Sequence, residues 1–384
     1  MPDLNELLRW SIANTPAPAQ PAPSAEPTEP LSLRFHPASE SHQGTSALHP
    51  SDPLYRASHL SLDDASPAST PGPLTPESGA PGRPQQELSS DMLDAIMGKS
   101  DATMMKEKMA YAMDDKMPVD KRIEALDDFE MMIELIDNAN NMTVLKMWEP
   151  ILELLQSPQD GIVAHACWII GTAVQNNLKA QAAMIVNNAL PPILEIIKPS
   201  SSSRQHPTST RARATYALSS SLKHWPLAAH ALSSSSDQGY RVLAASAADS
   251  ASPIRRKTAF LINTLVLQSG EKYEGEIPKE VQAMLEERMK QTAAGAESEV
   301  LLDGLKRTGV FRALIDGLKA READEDVEYE ENAIRALGQA AAKGGLEKAE
   351  KDELKAIWNK WSAAGQEERG LSGEDGKEIE RAFA

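Results

Sequence analysis

Apolar residues recur at intervals of three and four along most of the chain beyond its first quarter, the spacing of one face of an α-helix. In KRIEALDDFEMMIELIDNA the stripe is Ile123, Leu126, Phe129, Ile133 and Ile136, with acidic residues opposite and Asp120 placed to cap the start. Just upstream, SDMLDAIMG and DATMMKEKMAYAM read as two short helices, with Asp91 and Asp101 as caps and Gly98 as a terminator. At the chain's start, MPDLNELLRWSIANT sets Leu4, Leu7, Leu8 and Ile12 on one helical face, with Asp3 as N-cap and Pro16 beyond the end. A helix this short is marginal alone in water, so its stripe predicts docking on its own domain or on a partner.

From Trp148 the pattern repeats as an apolar helix, a polar break and a longer Ala-rich helix. The units are MWEPILELLQSPQDGIVAHACWIIGTAVQNN, then ALPPILEIIKPSSSS with TRARATYALSSSLKH, then GYRVLAASAADSASP with IRRKTAFLINTLVLQSG. A poorer copy joins GVFRALIDGLKAREADED to EENAIRALGQAAAKGG. Starts separated by roughly 40–50 residues fit the period of armadillo and HEAT repeats. The predicted fold is therefore all-α, an armadillo/HEAT-like solenoid in which each unit buries its stripe against the next and the last helices line a concave groove. The acidic end from Glu322 to Ala384, with Trp358 near Trp361, predicts capping helices followed by a frayed tail.

Composition divides the rest. Fifteen of the 26 prolines lie between Pro16 and Pro84 among Ser, Ala, Thr and Gly, too little apolar surface to offset ordering the backbone. The expected organisation is an amphipathic segment at 1–15, a disordered linker at 16–88, the repeat domain at 89–320 and a helical acidic extension at 321–384.

A net charge of -17 argues against nucleic acid and anionic membranes as partners. Within that acidic chain, Arg204, Arg211, Arg213, Lys223, Arg241, Arg255, Arg256 and Lys257 crowd the middle repeats, which predicts a local basic face. Cys167, the single cysteine, reads as a small core residue. Nothing in the first fifteen residues has the pattern of a secretory or transit signal, and no apolar run has transmembrane length, so a cytosolic monomer is expected.

Catalytic chemistry finds no support. His36, His42, His49 and His59 fall in the linker at irregular spacing, and His165 and Cys167, two apart on a helix, cannot form a dyad. No glycine-rich phosphate loop follows a strand, so no catalytic residue, metal or cofactor is expected. Ser200–Ser203 and Ser233–Ser236 read as flexible inserts between repeat helices.

The runs LLRWSIANT, MKEKMAYAM, DNANN, LKMWEPIL and IIGTAVQNNL resemble the fungal armadillo-type nucleotide-exchange factors of the 70-kDa heat-shock chaperones, over the first fifteen residues and from about Asp91 to Gly270. The resemblance implies an armadillo core that grips the chaperone's ATPase domain and opens its nucleotide cleft, so that ADP leaves; the factor itself hydrolyses nothing. It implies contacts at Ala139, which permits close approach, and at Lys257, where Arg is more usual, with Asn140, Trp148 and Arg256 beside them in the groove. It further implies that Leu7, Leu8, Trp10, Ser11, Ile12, Ala13 and Asn14 assist release of bound polypeptide by occupying the chaperone's substrate-binding part. The alternative is an armadillo cargo adaptor or scaffold for extended peptides, but Trp168 is followed by Thr172 rather than by the Asn of an adaptor's Trp/Asn ladder.

Overall fold

The computed structural model describes residues 98–199, 204–271, 301–320 and 325–384, together with 276, 279, 281–283 and 286–287. The amphipathic segment at 1–15, the linker at 16–88, the helix expected in SDMLDAIMG and the Ser200–Ser203 insert lie outside the described residues. All that follows concerns one compact unit, which begins at Gln85 and runs to Ala384.

Helix α1 (Asp101–Met113) is capped by Ser100, whose hydroxyl accepts from Thr103 N, and not by Asp101. Asp101 instead accepts from Asn138 Nδ2 at 2.8 Å. Helix α2 (Val119–Ile133) begins after Pro118, with Asp120 in its first turn. The expected stripe breaks after Ile133: Leu135 is extended, and α3 (Ile136–Val144) starts at Ile136, which is exposed. Asn138 Nδ2 also donates to Met132 O and so satisfies one of the last carbonyls of α2. An internal polar side chain thus ends a helix whose apolar periodicity would carry it on.

The remaining helices are α4 (Trp148–Leu154), α5 (Asp160–Val174), α6 (Leu178–Val186), α7 (Leu190–Ile197), α8 (Thr208–Leu222), α9 (Ala228–Ala247), α10 (Ser252–Gln268), α11 (Leu301–Arg307), α12 (Val310–Ala320), α13 (Val327–Ala342), α14 (Lys348–Trp358), α15 (Ala363–Glu368) and α16 (Gly373–Phe383). No strand occurs among the described residues. The four repeat units read from sequence correspond to α4–α5, α7–α8, α9–α10 and α12–α13.

Two rows organise the stack. Helices α2, α5, α8, α10, α13 and α16 pack each against the next as a ladder, while α7, α9, α12 and α14 form a second row behind them. Apolar faces meet between the rows: Ile162, Ile169 and Ile170 of α5 and Leu261, Ile262 and Leu265 of α10 are fully buried. Each such side chain contributes on the order of 1.5–3 kcal/mol relative to exposure.

One expectation is corrected here. The C-terminal region is not an appendage with a frayed end: α13 and α16 continue the ladder, and Tyr329, Leu337 and Phe383 are buried in it. Ser233–Ser236 falls, as expected, where one helical stretch gives way to another: the backbone leaves the helix at Ser234–Asp237 within α9, Ser235, Ser236 and Asp237 adopt positive φ, and Asp237 pairs with Arg307.

Candidate functional site

The central ladder helices α5, α8 and α10 are buried on all sides but one. On α5 that open stripe is Gly161, His165, Trp168, Thr172 and Gln175; on α8 it includes Arg213, Tyr216, Ser219 and Lys223; on α10 it includes Lys257, Phe260, Thr264 and Leu267. Spacings of three and four keep each set on one side of its helix. Because the helices stand side by side, the stripes join into a continuous face.

The stripes are in register. A basic or imidazole side chain is followed three residues later by an aromatic on three successive ladder helices: His165 and Trp168, Arg213 and Tyr216, Lys257 and Phe260. Neighbouring helices are staggered, so that Arg213 lies over Trp168 with its guanidinium 4.2 Å from the ring centroid. Tyr216 lies over Gly171 and donates to Gln175 Oε1 at 2.9 Å. A side chain at Gly171 would collide with that ring, which is why the position is glycine.

At the α2 edge the face is acidic. Glu130 is buried and accepts from the Thr172 hydroxyl, and burial holds its carboxyl above the usual carboxylate range. Burial likewise lowers the pKa of Arg213, which Asp127 and Glu130 partly offset, and that of His165, whose Nδ1 lies 2.8 Å from Gly161 O. Behind the face, burial pushes the Cys167 thiol up to about 12, so it stays protonated and unreactive. Among the described residues no group of three His, Cys, Asp or Glu is placed to hold a metal.

The basic face expected from sequence largely dissolves. Arg211 pairs with Asp249 and Arg255 with Asp326, all four buried, while Arg256 donates to Asp326 Oδ1 at 2.6 Å and Arg204 donates to Asp160 and to the carbonyls of Ser157 and Pro158. These guanidiniums join one repeat to the next. Lys223, Arg241 and Lys257 remain: their charged groups have no internal partner among the described residues, and the two lysines line a cleft of about 340 Å³ between α8 and α10. Tyr216, Phe260, Arg256 and Glu328 also line it, with Gln175 and Asn176 just past the end of α5.

The site residues expected from sequence fall in two groups. Ala139 is 3% exposed, and Trp148 is buried with its indole N–H donating to Thr143 Oγ1 at 3.3 Å. Asn140 is half-buried. These three lie on α3 and α4, whereas Lys257 is exposed on α10 and Arg256 is tied to Asp326 and Glu328. Helices α5 and α8 stand between the two groups. Leu7, Leu8, Trp10, Ile12 and Asn14 lie outside the described residues. Sequence reasoning passed over the aromatics of the face, although the recurrence of a cation and an aromatic three apart was present to be read.

Comparison with known proteins gives this face its context. The family model described as nucleotide exchange factor Fes1 matches residues 4–142, and that described as the SIL1/FES1/HPBP1 C-terminal domain matches residues 138–376. The Hsp70 nucleotide exchange factor FES1 of Cryptococcus neoformans var. neoformans serotype D is 54% identical over 373 residues, 94% of this chain and 93% of the relative. FES1 of Mycosarcoma maydis is 46% identical over 49% of this chain and 46% of its own length. FES1 of Saccharomyces cerevisiae is 43% identical over 33% and 43%. Among solved structures, a designed armadillo repeat protein in complex with peptide (KR)4 matches 74% of this chain and 100% of its own with a TM-score of 0.52 at 13% identity, a likeness of fold alone. With the two models together spanning the repeat stack, and a relative more than half identical along almost its whole length, this chain belongs to the FES1 family of Hsp70 nucleotide exchange factors.

Proposed function

We propose that this co-chaperone binds the ATPase domain of Hsp70 through the open face of its ladder and accelerates ADP release, acting as a cytosolic monomer without chemistry of its own. The observation that carries this reading is the unbroken stripe face on α5, α8 and α10, which is rigidly backed by the second row and offers aromatic rings and unpaired cations to a partner. Such a face suits a broad protein surface better than a small substrate.

Exchange then follows from linkage. If the factor binds the nucleotide-free ATPase domain about a hundredfold more tightly than the ADP form, it weakens ADP by the same factor, a coupling of about 2.7 kcal/mol. That is a small part of what a protein interface supplies. The N-terminal segment, with Leu7, Leu8, Trp10, Ile12 and Asn14, occupies the chaperone's substrate-binding domain and helps displace polypeptide; a long tether keeps its local concentration high.

The test is stopped-flow release of a fluorescent ADP analogue from a cytosolic Hsp70, with and without the full chain. Saturable acceleration is expected, and its absence with folded protein would overturn the reading. Removing Met1–Thr15 is expected to spare nucleotide release while weakening release of unfolded polypeptide; equal loss of both would refute that division of labour.

A further inference from the structure

The break in α9 at Ser234–Asp237 has a cavity on each side, both set against α7 and α9 of the second row. The first, of about 140 Å³, is lined chiefly by apolar side chains, among them Ile185, Leu190, Pro191, Leu194, Leu227 and Ala231. The second, of about 390 Å³, is lined by Lys198, Arg241 and the exposed Ser235 and Ser236. Ser235 and Gln238 line both, so the two cavities make one groove with an apolar end and a basic end.

Two polar groups in this groove are left over by the fold. Trp225 lines the apolar cavity and is 3% exposed, yet its indole N–H meets no acceptor among the described residues. A buried donor without a partner carries a desolvation penalty that a docked carbonyl would offset. Arg241 is exposed and has no internal partner among the described residues. Asp237, one turn before it, is taken by Arg307, and Lys198 is held by Glu195, which also accepts from Gln238.

Such a groove suits an occupant with a branched apolar side chain, a backbone acceptor and a carboxylate. The opening segment of the chain has that composition. In MPDLNELLRWSIANT the stripe of Leu4, Leu7, Leu8 and Ile12 needs an apolar surface, and Asp3 and Glu6 stand among the leucines. An apolar cavity of about 150 Å³ accepts a benzene-sized group, the scale of a leucine side chain. Reach is sufficient as well. The linker expected at 16–88 has a root-mean-square span on the order of 50 Å, against roughly 10 Å between neighbouring packed helices, and the tether raises the segment's concentration at the groove.

We propose that the groove beside the α9 break is the docking site of the chain's own Met1–Thr15 segment: leucines of the stripe enter the apolar cavity beside Trp225, and the carboxylates of Asp3 and Glu6 reach Arg241. Docking covers an apolar stripe that would otherwise face water, and a chaperone gains the segment by offering it a better surface. The site is separate from the ladder face and stands whether or not that face binds the ATPase domain.

The test is paramagnetic relaxation in the full chain, without chaperone. Cys167 is buried and unreactive, so Pro2→Cys takes a nitroxide at one place. The indole N–H resonance of Trp225, identified as the one missing from Trp225→Phe, is expected to lose intensity with the nitroxide oxidised and to regain it on reduction. Trp148 and Trp358, toward the two ends of the stack, are the controls and keep more of theirs. Leu7→Asp combined with Leu8→Asp is expected to weaken docking by at least about tenfold, and Arg241→Glu by a smaller factor, both restoring the Trp225 signal. A melting curve of Arg241→Glu that matches the parent shows that the groove itself is intact. Trp225 broadened no more than the controls would overturn the proposal, as would broadening that survives both sets of substitutions. Equal broadening of an isotope-labelled chain by a separate nitroxide-bearing chain would assign the segment to a second copy and overturn docking within one molecule.

Discussion

Arg255, in the first turn of α10, donates from Nε to the carboxylate of Asp326, the N-cap of α13, across 2.7 Å, and both side chains are more than nine-tenths buried. The link recurs along the ladder. Arg211, at the same fourth position of α8, pairs with Asp249 just ahead of α10. Glu330, the fourth residue of α13, accepts from Arg369 Nε at 2.7 Å ahead of α16, so the same clamp is built with the charges exchanged. Arg369 also stacks on Trp361, its guanidinium 4.5 Å from the ring centroid. Each clamp fixes the start of one ladder helix against the start of the next.

Breaking such a clamp strands a buried charge. Asp326→Ala leaves Arg255 without its carboxylate and also removes the cap on Tyr329 N, and it is expected to cost about 3–5 kcal/mol. The urea midpoint, followed by far-UV circular dichroism, should fall accordingly. Asp326→Asn, which still accepts one hydrogen bond, should fall less. An unchanged midpoint in Asp326→Ala would show that the clamp sets register without contributing stability.

Acidic pH should expose the burial of Glu130. Its folded pKa is raised chiefly by desolvation, so its contribution is most favourable below the unfolded value of about 4.3 and is lost as pH rises through the folded pKa. Glu130→Gln, which keeps an acceptor for the Thr172 hydroxyl, is therefore expected to match the parent's stability near about pH 4 and to exceed it near about pH 7. Denaturant midpoints at the two pH values check this; a variant less stable at the higher pH would mean that attraction to Arg213 outweighs desolvation.

Ala139→Arg is expected to act through the fold. With only 3% of the residue exposed, an arginine there must force α3 off the helices beneath it or bury an unpaired charge. A loss of about 3 kcal/mol or more should accompany any loss of chaperone binding. Unchanged thermal stability with abolished binding would instead place this residue at a contact surface that opens on association.

Gly171→Ala probes the joint between α5 and α8. The added Cβ would lie 2.4 Å from Tyr216 Cε1 and 3.3 Å from the backbone of Ala217, so the ring must leave its place over α5. A cost of about 1–3 kcal/mol is expected, with loss of the Tyr216 to Gln175 hydrogen bond and weaker chaperone binding because Tyr216 lines the cleft. A melting curve and a binding titration check the two effects separately.

Local information in the chain was enough for the helices and the repeat. Stripes such as Leu126, Phe129 and Ile133 report burial directly, because a helix returns to the same side every three or four residues. The family runs, being contiguous, were equally legible, and so was the armadillo class. Helix ends were less so: Ile136 continues the apolar period of α2, yet Asn138, anchored to Met132 O and to Asp101 from a distant helix, ends it. Charge was the least legible feature. Arg204, Arg211, Arg255 and Arg256 look like a basic surface in one dimension, but their partners Asp160, Asp249 and Asp326 lie 38–71 residues away and become neighbours when repeats stack. The sequence by itself determined which residues form helices and that those helices must stack; the tertiary structure alone decided which cations are neutralised inside the stack and which, Lys223, Arg241 and Lys257, keep no internal partner among the described residues. The physical reason is range: helical periodicity is set over a few residues, whereas an ion pair depends on where the rest of the chain comes to rest.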